Sequence, residues 1–528
     1  MRPRYLLLPP LLWFLLMLCP SISAAAQPAF PDVDKIVFEP YALVTESHGT
    51  IPAEIGYFDV PQRYSAPDGP SFRLRVVRLP ATRQPARNPP IVYLAGGPGG
   101  SAVGTARGDR WPVFDAVRRD ADVLLLDQRG TGGSGRPPEC PFETSLDPAR
   151  AWTQAQQLAA LQATAQRCVE LWRLQGLDLD AFNSIDSAHD VEMLRRAVGA
   201  PMLNLWGMSY GTHLALAVLR YHGDHIGRAV LMGSEGPDST LKRPLAADRV
   251  LQRLADVARR DPAVHELNPD LVGSMQRVFD RLEREPVRAR LPWSTQHVVI
   301  DQFDAQSAAV SLLGRSDVAR YLPLIFAKAD DGDYGPLAFL VVEIRKALGE
   351  FSAMPLAMDV ASGASPQRRA LIAREQTRSI FGSALNFPIA HIGDGLGIAD
   401  VGRAFRAPLQ SPVPVLFISG TLDARTPPAN AESLRGGFAS SAHLVLQGAA
   451  HDDDLWLSSP QVVERIQAFF GGSGLRDETL TVAPMSFATS VLGELLAVLG
   501  IERWMLLVAA LGLLVPIGWL AHRRYRRA

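Results

Sequence analysis

Six short apolar segments constrain the fold of this chain more than any other feature of its sequence. They are IVYLAGGPGG (91–100), DVLLLDQRGTGGSG (122–135), MLNLWGMSYG (202–211), AVLMGSEGPD (229–238), PVLFISGTLD (414–423) and HLVLQGAAHD (443–452). Apolar runs of this kind are typical of strands buried on both faces of a parallel sheet. Segments with a helical pattern, such as residues 187–199 and 212–222, lie between them. This alternation predicts an α/β fold with its functional site at the carboxyl ends of the strands.

The alternation is interrupted between residues 238 and 410. This segment is rich in Leu, Ala and Arg, and it contains helical patterns such as LQRLADVARR (251–260) and PLAFLVVEIRKALG (336–349). A chain of 528 residues is long enough for more than one structural unit. We therefore predict a mainly helical insertion between two parts of an α/β core, which we place at residues 27–237 and 411–470.

Both ends of the chain are expected to lie outside this fold. Residues 1–26 combine two arginines, a leucine-rich stretch and small residues, as a secretory signal peptide does. Residues 504–521 carry no charge and are long enough for a membrane-spanning helix, which a linker at 471–503 would join to the core. The arginine-rich tail at 522–528 predicts a cytoplasmic C-terminus by the positive-inside rule. The folded domain would then be anchored in the cytoplasmic membrane and lie outside the cytoplasm.

An extracytoplasmic location is oxidising, which bears on the cysteines. After removal of a signal peptide, Cys140 and Cys168 would remain, and we expect a disulfide between them rather than two buried free thiols. The formal net charge of −1 gives no indication of a nucleic-acid partner. The sequence has no Walker-type loop and no Cys/His cluster, so we expect no metal and no cofactor. The oligomeric state stays open.

Ser209 is the first candidate for a catalytic residue. It lies at the centre of Gly-x-Ser-x-Gly, between Gly207 and Gly211, where a predicted strand ends and a predicted helix begins. This is the context of a nucleophile elbow, in which a sharp turn leaves no room for side chains two positions away. The alternative is a polar residue in an ordinary turn, which the short pattern by itself does not exclude.

A serine nucleophile requires a base, and the base requires an orienting acid. Asp423 ends one predicted strand and His451 follows the next, in the chain order Ser, acid, His that accompanies this elbow. His443 begins its strand and His213 lies on the helix after the serine, so both are weaker candidates for the base. The rival acids at 452–454 are too close in sequence to the histidine to lie on a separate strand.

The reaction would also require donors for a developing oxyanion. One N–H is expected from Tyr210, the residue after the serine, and the other from the glycine cluster AGGPGGS (95–101). Pro98 within this cluster does not fit a dinucleotide-binding loop. Residues 127–129 end another predicted strand, and we interpret them as a buried structural turn beside the site.

Four motifs in order resemble a known family. They are GGPGGS (96–101), DQRGTGGS (127–134), GMSYGT (207–212) and SGTLDARTP (419–427). Together they resemble the proline iminopeptidase and tripeptidyl aminopeptidase group of α/β-hydrolase serine peptidases. The resemblance implies the catalytic roles of nucleophile, acid and base for Ser209, Asp423 and His451, in that order. It further implies Gly97 and Tyr210 as the oxyanion donors and a cap over the site formed by the helical insertion.

The sequence departs from the family pattern at two positions. Ala95 replaces a histidine before the glycine pair, and Thr212 replaces a glycine after the elbow, but neither change removes a catalytic group. In this family, acidic groups near the site and in the cap bind the free α-amine of the substrate. The resemblance makes Glu235, in GSEGPD, a candidate for that role, with a turn or capping residue as the alternative.

The resemblance implies an exopeptidase that removes residues from the N-terminus of short peptides through an acyl-enzyme on Ser209. A membrane-anchored esterase or lipase with the same triad is the alternative. A binding protein without catalytic activity is a third interpretation, which the complete set of Ser209, Asp423 and His451 disfavours. The sequence leaves open how many residues are released and which side chain precedes the cleaved bond.

Overall fold

A computed structural model describes residues 30–292 and 294–490 of the protein. A large β-sheet forms its centre. The strands are β1 (Glu39–Val44), β2 (Thr50–Pro61), β3 (Ser71–Leu79), β4 (Ile91–Leu94), β5 (Val123–Leu126), β6 (Leu203–Met208), β7 (Ile226–Met232), β8 (Val287–Arg290), β9 (His297–Ile300), β10 (Val415–Gly420), β11 (Ser441–Gln447) and β12 (Glu478–Thr481). Strands β8 and β9 form a separate antiparallel pair. The other ten form one sheet in the order β1-β2-β3-β5-β4-β6-β7-β10-β11-β12.

The sheet is parallel from β5 to β12 and antiparallel from β1 to β3. Every residue of β4, β5, β6 and β10 is buried, as the apolar runs require of strands that are covered on both faces. The predicted α/β fold is confirmed. The antiparallel strands before residue 91 were not expected, because their apolar residues are interrupted by charged and polar ones.

Helices cover both faces of the sheet. The first group is α1 (Ala102–Arg107), α2 (Trp111–Val117), α3 (Gln154–Leu174), α4 (Ser184–Ala197) and α5 (Tyr210–His222). Helix α5 begins directly after β6, so the turn between them presents its side chains at the carboxyl edge of the sheet. In this part of the chain Cys140 and Cys168 form a disulfide with a Cα–Cα distance of 5.4 Å, as predicted.

The segment between β7 and β10 is mainly helical and also contains the β8–β9 pair. Its helices are α6 (Pro244–Ala258), α7 (Pro262–Leu267), α8 (Leu271–Arg284), α9 (Gln302–Leu312), α10 (Ser316–Ala319), α11 (Leu322–Asp330), α12 (Gly335–Leu348), α13 (Ala353–Ser362), α14 (Pro366–Gln376), α15 (Ile389–Ile392) and α16 (Gly402–Arg406). We call this segment the cap. Its apolar core also encloses Leu422, Ala424 and Ala450 of the α/β core, so the two parts share buried surface.

After the cap the chain returns directly to the sheet at β10. Helix α17 (Pro428–Arg435) then connects β10 to β11, and α18 (Asp454–Leu457) and α19 (Pro460–Phe470) connect β11 to β12. The structure differs here from the linker expected at 471–503, because β12 extends the sheet beside β11. Val482 then packs against the α/β core, and Phe487 is buried in the core of the cap. These apolar side chains are buried against the α/β core and the cap, which explains why this segment is part of the fold.

The predicted signal peptide (1–26), membrane helix (504–521) and cytoplasmic tail (522–528) lie outside the described residues. So does the end of the predicted linker. Within residues 30–490, no helix is both long enough and apolar enough to cross a membrane.

Candidate active site

Ser209 occupies the turn between β6 and α5 in a backbone conformation that few residues adopt. Its φ of 55° and ψ of −123° lie outside the favoured regions for a residue with a side chain. The Ser209 N–H donates a 2.9 Å hydrogen bond to the carbonyl of Met232 at the end of β7, which holds the turn against the neighbouring strand. Strain of this kind is characteristic of a functional position.

The two glycines of the motif are required by close backbone contacts. A Cβ on Gly211 would overlap the carbonyl of Leu94 on β4. A Cβ on Gly207 would lie 2.6 Å from the carbonyl of Gly211, which is also closer than real Cβ atoms approach. The elbow therefore excludes any larger residue at these two positions, two residues before and after the serine.

Asp423 and His451 are brought together as the sequence predicted. The Nδ1 atom of His451 lies 2.7 Å from Oδ2 of Asp423, and both side chains are buried. The other oxygen of Asp423 accepts hydrogen bonds from the N–H groups of Arg425 (2.8 Å) and Thr426 (2.7 Å). Burial raises the pKa of Asp423, but the positive charge of His451 and the hydrogen bonds outweigh it and lower that pKa below its usual value.

Ser209 and His451 lie against two consecutive residues, the last residue of β7 and the one that follows it. Met232 binds the serine N–H, and a Cβ on the next residue, Gly233, would lie 2.9 Å from Cε1 of the histidine. Within the part of the chain that the structure describes, neither Oγ of Ser209 nor Nε2 of His451 has a hydrogen-bond partner. The catalytic hydrogen bond between serine and base often forms only when substrate binds.

The predicted oxyanion donors lie on either side of the serine. Tyr210 is the first residue of α5, so its N–H has no acceptor in that helix. The glycine turn packs against the elbow, since a Cβ on Gly96 would lie 2.9 Å from Cβ of Ser209. In residues 30–292 and 294–490, neither Tyr210 nor Gly97 donates its backbone N–H to a recorded partner. Their role as oxyanion donors stays a prediction.

Glu235 has a partner that the sequence did not reveal. Its Oε2 lies 2.6 Å from Nζ of Lys242, and its backbone N–H donates to Oγ1 of Thr212 at 2.7 Å. The carboxylate is thus already paired with a cation, which weakens the case for Glu235 as the sole amine-binding group. The role assigned to it from the sequence stays a prediction.

A second carboxylate near the elbow, Asp359 on α13, was not predicted. Burial, together with the nearby charge of Glu235, raises the pKa of Asp359 to about 7. Asp359 lies four residues after Pro355 of α13, which packs against Gly99 of the glycine turn. Glu235 is bonded through its N–H to Thr212 near the start of α5. Nothing in the cap sequence distinguishes Asp359 from its other carboxylates, because the tertiary fold alone brings it to the site.

Residues 127–129 have the structural role expected of them. Asp127 accepts hydrogen bonds from Oγ of Ser101 (2.7 Å) and from the N–H of Gly133 (2.9 Å). The side-chain amide of Gln128 donates to the carbonyl of Ala95 at 2.9 Å. The buried Arg129 is ion-paired with Asp190. These bonds fix the glycine turn that precedes α1.

The rival residues are engaged elsewhere. His213 is buried, with Nδ1 3.1 Å from the carbonyl of Gly236. His443 forms a second Ser–His–carboxylate array, in which Nε2 lies 3.0 Å from Oγ of Ser419 and Nδ1 lies 2.5 Å from Oε1 of Glu432. Ser419 is 0% exposed, so no substrate can reach its hydroxyl.

The three acidic residues after His451 bind neighbouring elements. Asp452 and Asp453 are both ion-paired with Arg110, which precedes α2. Asp454 accepts a hydrogen bond of 2.6 Å from Ser316 of the cap. All three acids thus have other partners, and Asp423 is the carboxylate bonded to the His451 ring, as predicted.

Comparison with known proteins places the geometry in a family. A family model described as "alpha/beta hydrolase fold" matches residues 89–456, which is more than half of the chain. The tripeptidyl aminopeptidase of Streptomyces lividans is 29% identical over 194 residues, which cover 34% of this chain and 35% of that protein. Serine protease Hip1 of Mycobacterium tuberculosis is 27% identical over 192 residues, covering 35% and 36%.

The chain is also similar to a protein named as an esterase and to a solved structure of a proline iminopeptidase. Carboxylesterase B of Mycobacterium tuberculosis is 32% identical over 187 residues, covering 34% of this chain and 35% of that protein. The crystal structure of a proline iminopeptidase from Mycobacterium smegmatis covers 76% of this chain and 95% of its own, at 15% identity and a TM-score of 0.37. The matched segments thus span about a third of the curated relatives. By its family-model match, its sheet and its elbow, this chain belongs to the α/β-hydrolase family.

Proposed function

We propose that the protein is a serine aminopeptidase that hydrolyses short peptides from the N-terminus through an acyl-enzyme on Ser209. The observation that carries the proposal is the position of Asp359, an acid four residues after Pro355 of α13, which packs against the glycine turn; in the described part of the chain its carboxylate has no hydrogen-bond or ion-pair partner. The peptidase names of two relatives, tripeptidyl aminopeptidase and Hip1, support the hydrolysis of peptide bonds. They do not by themselves support release from the N-terminus.

Helix α13 carries Asp359 to the reaction site. Pro355 of this helix packs against the glycine turn, since a Cβ on Gly99 would lie 2.8 Å from its Cγ. Asp359 is four residues further along and therefore on the same face of the helix. An acid one helical turn beyond this contact is suited to hold the amine of a substrate whose scissile carbonyl lies near Ser209.

Asp359 is enclosed by protein and yet keeps part of its surface accessible. Among the residues with described side chains, none forms a hydrogen bond or ion pair with its carboxylate. A carboxylate in this setting is stabilised by an incoming cation, and the α-ammonium group of a peptide provides one. Glu235 and Lys242 beside it leave the cluster with one uncompensated negative charge when Asp359 is ionised.

The triad would act as follows. His451 accepts the proton of Ser209 as Oγ attacks the scissile carbonyl, and Asp423 stabilises the resulting imidazolium. The N–H groups of Tyr210 and Gly97 bind the oxyanion of the tetrahedral intermediate. His451 then donates the proton to the leaving amine, and a water molecule, activated by the same histidine, hydrolyses the acyl-enzyme. The cap restricts access to short chains because it covers this edge of the sheet.

Substrates with and without a free amine test the proposal. We expect a peptidyl arylamide with a free N-terminus to have a much higher kcat/KM than its N-acetylated form. Asp359→Asn should reduce this preference by roughly ten- to hundredfold, the loss expected for a hydrogen-bonded charge pair. Asp331→Asn, which changes an exposed carboxylate of the cap, is the matched control and should leave the preference unchanged. Equal cleavage of the free and the acetylated substrate would contradict an aminopeptidase.

The second candidate is an esterase with the same triad, which the relative named Carboxylesterase B favours. It requires no amine-binding group, so acyl esters without an amine would be the better substrates. Ser209→Ala should abolish both activities, and a fluorophosphonate probe should label the unmodified protein but not this variant. A protein that binds no probe and cleaves neither substrate would instead be a binding protein.

We also propose that the α/β domain acts outside the cytoplasm, as the signal peptide at 1–26 and the anchor at 504–521 would require. The disulfide between Cys140 and Cys168 supports an oxidising compartment. A membrane-impermeant fluorophosphonate should label Ser209 in cells whose outer envelope is permeable to the reagent while the cytoplasmic membrane stays intact. Labelling only after lysis would contradict this location.

A further inference from the structure

The loop that carries His451 is held by the cap as well as by the α/β core. The backbone N–H of His451 donates a 2.7 Å hydrogen bond to the carbonyl of Gly314, in the cap loop between α9 and α10. His451 is only 6% exposed, so without this acceptor its N–H would be a buried group with no partner. The cap thus supplies the acceptor for the backbone N–H of the proposed catalytic histidine.

A second contact, from Ser316 at the start of α10, acts through Asp454 on the residue before the histidine. Oγ of Ser316 donates to Oδ1 of Asp454 at 2.6 Å, and Oδ2 of Asp454 accepts the N–H of Ala450 at 2.7 Å. Ser316 therefore orients one carboxylate oxygen, and the other oxygen holds the chain next to His451.

The loop is also held by contacts within the α/β core. It contains Asp452, whose φ of 66° is unfavourable for a residue with a side chain, so the backbone does not hold this path without external contacts. Arg110 forms ion pairs with Asp452 and Asp453. The histidine loop is consequently held between Arg110 of the α/β core and Ser316 of the cap.

The same cap loop also contacts the loop of the acid. A Cβ on Gly314, whose φ is 102°, would lie 3.1 Å from the backbone nitrogen of Ala424, the residue after Asp423. Leu422, Ala424 and Ala450 are all buried in the core of the cap. The neighbours of both the acid and the base are therefore packed into the cap.

We propose that Ser316, acting through Asp454, is a positioning residue for His451, so that the cap aligns the catalytic base in addition to covering the site. The inference rests on the proposed serine-hydrolase chemistry but is independent of the choice between peptide and ester substrates. A small displacement of a catalytic base is costly, because proton transfer requires hydrogen-bond geometry.

The test compares Ser316→Ala with Ser311→Ala in the full-length protein. Ser311 lies on the adjacent helix α9, and among the described residues its hydroxyl bonds only to the carbonyl of Ala308 in that helix. The number of competent sites is measured by titration with a fluorophosphonate, and kcat is expressed per titrated site. We expect Ser316→Ala to lower kcat by roughly tenfold or more while KM changes little. Ser311→Ala should match the unmodified protein, and Ser316→Thr, which keeps the hydroxyl, should restore kcat.

A double variant separates positioning from a general loss of structure. If Ser316 acts through Asp454, Ser316→Ala should lower kcat no further once Asp454→Ala is present. An unchanged kcat in Ser316→Ala, or effects that multiply in the double variant, would overturn the inference. Absence of fluorophosphonate labelling in the unmodified protein would instead contradict the proposed function.

Discussion

Thr426 donates a hydrogen bond from Oγ1 to Oδ2 of Asp423 at 2.7 Å, the same oxygen that Nδ1 of His451 approaches at 2.7 Å. Its Oγ1 also lies 3.1 Å from that nitrogen. The threonine, three residues after the acid, therefore fixes the carboxylate oxygen that orients the base. It extends the predicted triad by one side chain.

Replacement of Thr426 by valine tests this contact with little change in volume. Thr426→Val removes a hydrogen bond to a charged acceptor, and we expect kcat to fall by about tenfold or more. Thr426→Ser keeps the hydroxyl and should retain most of the activity. The measurement is kcat per titrated site, and full activity of the valine variant would show that the backbone N–H groups suffice to hold Asp423.

Covalent labelling distinguishes the two serine–histidine arrays. A fluorophosphonate should modify Ser209, which is accessible at the elbow, and leave Ser419 unmodified, because that hydroxyl is buried in β10. Peptide mapping by mass spectrometry locates the adduct. Ser419→Ala should remain labelled to the same extent, whereas an adduct on Ser419 would mean that β10 becomes exposed in solution.

The raised pKa of Asp359 predicts a pH dependence for substrates with a free amine. Asp359 binds an ammonium group only when it is ionised, and its pKa is about 7. We therefore expect kcat/KM for such substrates to rise with pH through this region more steeply than for acyl esters without an amine. Asp359→Asn should remove the difference between the two profiles, and identical profiles in the unmodified protein would contradict the amine-binding role.

The same group predicts an effect on stability. The unfolded chain releases the Asp359 proton near the ordinary aspartate pKa of about 4, whereas the folded protein keeps it until about pH 7. Deprotonation thus favours the unfolded state, and the contribution of Asp359 to the free energy of unfolding declines as the pH rises from about 4 to 7. Asp359→Asn should be less sensitive to pH over this interval when unfolding is followed with denaturant at each pH.

Two glycine substitutions compare a required with a permissive position. Gly211→Ala places a Cβ against the carbonyl of Leu94 and should destabilise the protein by several kcal/mol or prevent folding. Gly436→Ala is the control, because a Cβ there meets no atom within 4 Å and its φ is −61°. Thermal unfolding of both variants measures the effect. A Gly211→Ala protein as stable as the control would mean that the elbow can relax.

The parts of the site that lie on buried parallel strands were predictable from sequence. An apolar run that ends in a polar residue marks the carboxyl edge of the sheet, and this locates Ser209, Asp423 and His451 without knowledge of the cap. The strands before residue 91 were not predicted because their outward-facing residues are polar, so no continuous apolar run marks them.

The contacts made by the cap were not predictable in the same way. Asp359 and Ser316 reach the site through the packing of helices that are distant in sequence, and no local pattern sets them apart from other cap residues. Thr426 had a weak signal, because a hydroxyl three residues after a buried acid is well placed to bind it. Pairing of Glu235 with Lys242 depends on the loop that leads into the cap.

The last described segment has a practical consequence for producing the protein. Residues 478–488 supply the edge strand β12, place Phe487 in the interior of the cap and bond Ala488 to the carbonyl of Arg320 at 3.1 Å. A shortened version that stops soon after α19 would expose both the edge of the sheet and the apolar interior of the cap to water, which favours aggregation during expression. A truncation intended for crystallisation should therefore retain the chain through Ala488.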